Sequence, residues 1–229
     1  MADNKGILLP AYVMADESYS MKPNERALAE GMVSLHESLR GEPMIAAKVR
    51  LAVLGFSKDV AVRLPLTDVR TEMQLPQLAI RTETSYAAAF QDLLARIPAD
   101  VRALKNDGYQ VHRPVVFFLS DGQPTDDNEN AWRMPHSQLI DRQVTPVAPN
   151  IIACGIGQAE AQTMLDVATR KEFAFVTVPG ADIGRAITEF FEVLTASLVE
   201  SGRALAADRP ELVVERPDPN HFRLAIDMV

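Results

Sequence analysis

ILLPAYVMADESYSM, residues 7 to 21, is the segment on which the fold depends. An apolar run ends at Asp16, and two hydroxyl side chains follow at alternate positions, Ser18 and Ser20. A buried parallel strand has this nearly continuous apolar character, and open α/β sheets bind ligands at the carboxyl ends of such strands. Because one carboxylate and two small hydroxyls suit a hard cation such as Mg²⁺, the segment predicts a metal site at the edge of a parallel sheet.

A second buried strand is predicted over residues 115–119 (VVFFL), and it also runs into a carboxylate, Asp121, followed by turn-forming residues. Between these two strands, Thr84 comes just before a helical pattern that starts at Tyr86. Taken alone, Thr84 suits a helix N-cap as well as a metal ligand. Right-handed crossovers place the loops after parallel strands on one edge of the sheet, so we predict that Asp16, Thr84 and Asp121 converge there.

The remaining segments alternate between helical and extended patterns. Helices are predicted within residues 23–41 and over 86–97, 130–142, 159–169 and 183–198, and further strands over 49–56, 60–66, 150–154 and 173–178. The strands at 49–56 and 60–66 form a predicted hairpin, and the second is an edge strand because Pro65 interrupts it. This order predicts a doubly wound α/β domain, similar to a Rossmann fold, with a mostly parallel sheet, one antiparallel edge strand and helices on both faces.

We assign the domain to residues 1–205 and a C-terminal tail to residues 206–229. Three prolines interrupt the tail, although residues 212–214 and 222–226 could form short strands packed on the domain.

The composition narrows the partners that we expect. The chain of 229 residues has 31 acidic and 23 basic side chains, a net charge of −8, and no cluster of Lys and Arg along the sequence. Binding to nucleic acid or to an anionic membrane requires basic patches, so we expect neither partner. The N-terminal apolar run is too short for a signal peptide or a membrane span, and the single cysteine, Cys154, fits a reducing compartment. A cytoplasmic location is therefore expected.

The convergent residues resemble the metal-ion-dependent adhesion site (MIDAS) of the von Willebrand factor A domain family, which is written Asp-x-Ser-x-Ser, Thr, Asp. The matching residues are Asp16, Ser18, Ser20, Thr84 and Asp121. The phrases ADESYSM, ETSYAAAF and FFLSDGQPTDD, with the hairpin RLAVLGFSKDVAVRLPL, are most similar to the intracellular bacterial branch related to tellurite-resistance proteins. The resemblance covers about residues 7 to 200.

This resemblance implies a protein-binding module without enzymatic activity. Mg²⁺, or alternatively Mn²⁺ or Ca²⁺, would be bound directly by the hydroxyls of Ser18 and Ser20, and by Thr84 directly or through water. Asp16 and Asp121 would act largely through water. A vacant coordination position would accept an acidic side chain from a protein partner, and the family suggests a bacterial stress-resistance or signalling system.

Two departures and two alternatives accompany this hypothesis. Tyr19 and Glu83 stand where the family commonly has Gly, which permits backbone angles that other residues tolerate poorly. We expect the side chains of Glu17 and Glu83 to point into solvent. The alternatives are a phosphatase similar to haloacid dehalogenases, with Asp16 as the nucleophile, and a phosphoacceptor domain. The first lacks a carboxylate at Ser18, and the second lacks a Lys after a later strand.

Several other side chains receive simpler interpretations. Cys154 is expected in the core. We expect the four histidines to lie on the surface. Tyr19, Trp132 and Met134 are expected to form an exposed rim around the metal. An acidic cluster is expected to be a solvated helix start rather than a second cation site. The histidines are His36, His112, His136 and His221, and the cluster is Asp126, Asp127 and Glu129.

Overall fold

One mixed sheet carries the site in the computed structural model, which describes residues 5–71, 77–126, 128, 130–207, 209 and 211–229. Its strands are β1 (Ile7–Asp16), β2 (Val49–Phe56), β3 (Val60–Asp68), β4 (Gln110–Val111), β5 (Val115–Ser120), β6 (Asn150–Gly155), β7 (Ala174–Thr177) and β8 (Phe222–Leu224). The order is β3-β2-β1-β5-β6-β7-β8, and β4 pairs with the start of β1. The strands from β2 to β7 along this order are parallel, whereas β3 and β8 are antiparallel.

The doubly wound, mostly parallel sheet is confirmed, and the structure adds a second antiparallel edge strand. This strand, β8, comes from the tail and pairs with β7. Phe222 at its start is 1% exposed and belongs to the core. Residues 212–214 form no strand. Their segment instead lies along a helix, where the backbone N–H of Val213 donates to the Ser201 hydroxyl at 3.0 Å and that of Glu215 to Ser197 at 2.9 Å.

The helices fall into groups that cover the sheet. They are α1 (Glu25–Arg40), α2 (Pro43–Ala46), α3 (Tyr86–Asn106), α4 (Arg133–Ile140), α5 (Ala161–Val167) and α6 (Ile183–Ala206). The helices α1 and α2 pack against α6, α3 packs against α4, and α5 contacts β6 and β7. The approach of α1 to α6 requires Gly31, because a Cβ there would lie 2.0 Å from the ring of Phe191. No helix in the described ranges is both long and apolar enough to cross a membrane.

The helix predictions differ from the structure at their ends. The helix predicted over residues 86–97 continues to Asn106, and the one predicted over residues 159–169 spans only Ala161–Val167. The helix predicted over residues 130–142 begins only at Arg133, which places Pro135 in the first turn, where the missing N–H costs nothing. The helix predicted over residues 183–198 continues to Ala206 because its apolar side chains stay buried as far as Leu205.

An aromatic cluster fixes α3 and α4 against the sheet. The ring centroids of Phe118 on β5 and Tyr86 on α3 are 4.9 Å apart, and Phe90 stacks on Phe118 at 5.5 Å. Trp132 and His136 pack against Phe90 at 5.7 and 4.8 Å. Trp132 is only 2% exposed, so its predicted place in an exposed rim was wrong: its ring completes the core beneath α4. The cluster also fixes Tyr86, two residues after Thr84.

Candidate metal centre

The carboxylate of Asp16 is held rigidly at the carboxyl end of β1. It is fully buried. One oxygen accepts a hydrogen bond from the backbone N–H of Ser18 at 2.8 Å, and the other accepts one from the hydroxyl of Ser120 at 2.6 Å. Because Ser120 is the last residue of β5, two adjacent parallel strands orient this one side chain.

The two predicted serines connect Asp16 to Asp121. The hydroxyl oxygens of Ser18 and Ser20 are 2.9 Å apart, and Ser20 donates to a carboxylate oxygen of Asp121 at 2.8 Å. Ser18 and Asp121 are 2% and 6% exposed, whereas Ser20 is exposed. Four of the five predicted residues therefore form one hydrogen-bonded group that reaches the surface at Ser20.

Thr84, the fifth residue, is buried and attached to the loop that follows Asp121. Its backbone N–H donates to the hydroxyl of Thr125 at 2.9 Å, and the N–H of Thr125 donates to its carbonyl at 2.8 Å. Helix α3 is capped instead by Ser85, whose hydroxyl accepts from the N–H of Ala88 at 3.0 Å. The N-cap interpretation of Thr84 is thus wrong, and its hydroxyl has no capping task.

Asp126, the one described member of the predicted acidic cluster, lies at the start of α3. The carboxylate of Asp126 accepts hydrogen bonds from the Ser85 hydroxyl and, at 3.2 Å, from the N–H of Ala87, so it stabilises the N-terminus of α3. Asp127 and Glu129 lie outside the described residues.

The electrostatics of the group favour a cation. Burial raises the pKa of Asp16 to about 6, with a smaller contribution from the charge of Asp121, while hydrogen bonds from Ser120 and Ser18 oppose the shift. Burial also raises the pKa of Asp121, and the hydrogen bond from Ser20 opposes it. In the part of the chain that the structure describes, no ion pair involves either carboxylate. Two buried acids thus share one edge of the sheet without a basic side chain to neutralise them.

The donor set suits a hard divalent ion. Hydroxyl and carboxylate oxygens are the ligands that Mg²⁺ and Ca²⁺ prefer. No group of three or more His, Cys, Asp and Glu side chains within the described ranges is arranged to hold a metal, so a metal at this edge depends on the hydroxyls. The hydroxyl of Ser20 donates a hydrogen bond to Asp121, and its oxygen retains lone pairs that can bind a cation.

Glu17, which we expected in solvent, is fully buried, and that expectation was wrong. Arg63 on β3 binds its two carboxylate oxygens at 2.7 and 2.8 Å, Arg81 donates to it at 3.0 Å, and the N–H of Ala79 donates at 2.9 Å. A Cβ at Gly55 would lie 2.1 Å from the carboxyl carbon, so a glycine is required beside it. Three residues could have indicated the burial of Glu17 from the sequence. Arg63 and Arg81 stand in largely apolar segments, and Gly55 stands inside a buried strand.

The Glu17 network joins the segments that carry the site. Arg81 also donates to the carbonyl of Gly55 at 2.8 Å and pairs with Asp59, so the segment leading to Thr84 is fastened to the β2–β3 hairpin. Glu17 therefore links the Asp16 loop, this hairpin and the Thr84 segment.

The two departures from the family pattern are accommodated. Tyr19 begins a short 3-10 helix, Tyr19–Asn24, whose backbone does not call for glycine. Tyr19 and Met134 are 65% and 70% exposed, as expected for a rim. The side chain of Glu83 is exposed, as expected, and its backbone binds the hydroxyl of Ser57. His112 and His221 are partly buried, and His36 and His136 are buried, so the predicted surface position of the histidines was wrong.

The sequence matches no protein-family model and no curated protein, but solved structures match the fold. The pilus adhesin SpaC from Lactobacillus rhamnosus GG aligns with a TM-score of 0.67 and 12% identity, over 86% of this chain and 31% of that one. Proximal thread matrix protein 1 from the mussel byssus, with a zinc-occupied MIDAS motif, aligns with a TM-score of 0.59 and 15% identity, over 85% of this chain and 48% of that one. The von Willebrand factor type A structure from Catenulispora acidiphila has a TM-score of 0.57 and 14% identity, over 84% of this chain and 43% of that one.

This chain has a von Willebrand factor A-like fold. It spans less than half the length of each of these structures, and at such low identity the likeness establishes the fold alone. The predicted relation to tellurite-resistance proteins stays a prediction.

Proposed function

We propose that this von Willebrand factor A-like domain binds a protein partner in a manner that depends on a divalent cation, with Mg²⁺ as the expected ion and Mn²⁺ or Ca²⁺ as alternatives. The observation that carries the proposal is the hydrogen-bonded group of Asp16, Ser18, Ser20 and Asp121. It reaches the surface at Ser20 and contains two buried acids that pair with no basic side chain in the described ranges. The zinc-occupied MIDAS motif of the mussel protein and the role of SpaC as a pilus adhesin support it.

The five residues would divide the work by chemistry. The hydroxyls of Ser18, Ser20 and Thr84 would bind the ion, while Asp16 and Asp121 would orient its water ligands. A bound ion would offer a coordination position to an acidic oxygen of the partner. The bonds from Ser18 and Ser120 keep the Asp16 carboxylate in one orientation, so it needs no rearrangement when the ion binds.

The burial of Asp16 favours this function over phosphoryl transfer. A phosphatase nucleophile or a phosphoacceptor must present a carboxylate oxygen to a phosphorus atom. Asp16 is fully buried and both of its oxygens accept hydrogen bonds. We therefore propose a binding module that is not an enzyme, within the stress-resistance or signalling setting that the sequence resemblance suggests.

A pull-down from the native cell, in Mg²⁺ and in excess chelator, tests the proposal. The isosteric variant Asp16→Asn is expected to lose both Mg²⁺ binding, measured by calorimetry, and Mg²⁺-dependent capture of the partner. It is expected to fold at least as stably as the wild type in chelator, because it removes a buried charge.

Asp100→Asn is the matched control, since Asp100 is a partly buried acid on α3 that binds the Tyr12 hydroxyl at 3.0 Å, away from the proposed ion. It should retain the ion and the partner. Equal capture by the wild type in chelator would count against the proposal. Turnover of a phosphate ester, or labelling of Asp16 by a small phosphodonor, would favour the enzymatic alternatives.

A further inference from the structure

The end of the sheet opposite Asp16 contains a cavity of about 190 Å³ with a basic lining. Its cations come from separate segments: Lys5 before β1, Lys48 and Arg50 around the start of β2, and Arg70 after β3. The sequence shows no basic cluster, yet the fold assembles one in a chain with a net charge of −8. The ten residues of β1 separate this cavity from Asp16 by about 30 Å, so the two sites are independent.

The positive charge of this basic cavity is only partly neutralised. The carboxylate of Asp68 pairs with Arg50 at 3.1 Å and with Arg70 at 2.6 Å, so one acid serves two guanidinium groups. Within the described ranges, Lys5 and Lys48 take part in no ion pair. Among the described residues, one acid, Asp68, thus pairs with two of the four basic side chains that line the cavity.

Two of these cations, Lys5 and Arg50, lie beside the ring of Tyr109. The ammonium of Lys5 lies 5.6 Å from the ring centroid of Tyr109, and the guanidinium carbon of Arg50 lies 5.8 Å from the same centroid. The ammonium of Lys48 lies close to Gly6: its Nζ is 3.7 Å from the position that a Cβ on this glycine would occupy. Like charges that line one cavity repel one another, and a bound anion would relieve the repulsion.

We propose that the basic cavity binds the phosphate group of a small phosphate-bearing molecule. Lys supplies a compact positive charge and Arg a planar donor group, which is the chemistry that recognises phosphate. Arg50 donates to the carbonyl of Val49 at 2.9 Å and is 8% exposed, so it contributes its field, while Lys5, Lys48 and Arg70 supply the contacts. A cavity of about 190 Å³ has room for one phosphate group, which favours a small phosphate-bearing molecule.

Calorimetric titration with inorganic phosphate and then with glycerol 3-phosphate, at constant ionic strength and without divalent metal, tests this proposal. We expect saturable binding at one site per chain. Lys48→Ala should weaken it about tenfold, as expected for the loss of one charge-assisted hydrogen bond. Lys5→Ala should also weaken it, and because Lys5 is exposed this variant provides a second measurement if Lys48→Ala fails to fold.

The control is Lys171→Ala, which makes the same charge change at an exposed position before β7 and should leave the affinity unchanged. Asp16→Asn should also bind phosphate as the wild type does, since it alters the opposite end of β1. The absence of saturable binding, or an equal loss in Lys48→Ala and Lys171→Ala, would overturn the proposal. Tighter binding of a phosphoserine peptide than of glycerol 3-phosphate would overturn the assignment to a small molecule.

Discussion

Among single residues, the adjacent side chains of Thr84 and Ser85 have different tasks. Ser85 caps α3 through its hydroxyl, whereas the hydroxyl of Thr84 has no capping role and Thr84 is bound to the loop after Asp121 through its backbone. We therefore expect Thr84→Ala to weaken Mg²⁺ binding about tenfold, and to lower the free energy of unfolding by about 1 kcal/mol because a buried methyl group is lost. Calorimetry measures the first quantity and urea unfolding the second.

Ser85→Ala is the matched control for Thr84→Ala. It should cost about 1 kcal/mol of unfolding free energy, because an N-cap is lost, and it should keep the metal affinity. If the two variants had the same effect on metal affinity, the assignment of Thr84 to the metal site would be contradicted.

How much of the site could be predicted depended on how local its signals are. Asp16, Ser18 and Ser20 form a short motif after a strand, so the sequence alone indicated that they lie together near Asp121. The hydrogen bonds within the motif and the one from Ser20 to Asp121 agree with this. Glu17 lies in the same motif but was assigned to solvent. Its partners Arg63 and Arg81 are 46 and 64 residues away, so arginines in largely apolar segments could indicate a buried acid but not that the acid is Glu17.

Among the secondary-structure elements, Glu17 connects three segments, and its loss should affect all of them. Glu17→Gln is expected to lower the free energy of unfolding by about 3 kcal/mol, because Arg63 and Arg81 lose their charged partner in a buried setting. Urea unfolding followed by the fluorescence of Trp132, the single tryptophan, measures this change. Hydrogen exchange should show faster opening of residues 79–84.

Asp59→Ala provides the control for Glu17→Gln. Asp59 also pairs with Arg81, but its side chain is 67% exposed, so the variant should cost less than about 1 kcal/mol. Equal destabilisation by the two variants would mean that the burial of Glu17 adds nothing to the network.

Elements with strong patterns were predicted better than those defined by tertiary contacts. The strands β1, β5 and β6 are buried throughout and mostly apolar, and their patterns predicted them within one residue at either end. The three-residue strand β8 lies within residues 222–226, where a short strand was predicted, but its pattern is too short to indicate its partner, which is the open edge of β7. The burial of Trp132 likewise depends on Phe90 and Tyr86, which belong to another helix.

Across the protein as a whole, buried ionisable groups affect the pH dependence of stability with opposite signs. Burial raises the pKa values of Asp16, Asp100 and Asp121, so the folded state gains protons before the unfolded state, and stability rises as the pH falls through these values. Burial lowers the pKa values of His36 and His136, so the unfolded state gains protons first and stability falls as the pH drops below about 6.5. The wild-type curve combines both effects, and only a comparison with a variant can isolate one group.

His136 is the group whose contribution can be separated most directly. Its ring packs against Phe90 and Trp132, and Nε2 donates a hydrogen bond to the carbonyl of Val167 at 2.8 Å. The neutral ring therefore carries its proton on Nε2. Burial is the main cause of its lowered pKa. Arg133 lowers it further, and the hydrogen bond to Val167 and the charge of Asp166 oppose the shift.

His136→Gln should keep a donor for the Val167 carbonyl and remove the titration. The variant will be less stable than the wild type at pH 7.5 because the ring contacts are lost. The wild type should then lose about 1 kcal/mol relative to the variant between pH 7.5 and 5.5, since protonation of one histidine in the unfolded state changes stability by at most about 1.4 kcal/mol per pH unit. Urea unfolding at both pH values, followed by Trp132 fluorescence, measures the difference. Parallel curves for the two proteins would show that His136 is protonated equally well in the folded and unfolded states, and that its burial beneath α4 does not govern the acid sensitivity of the fold.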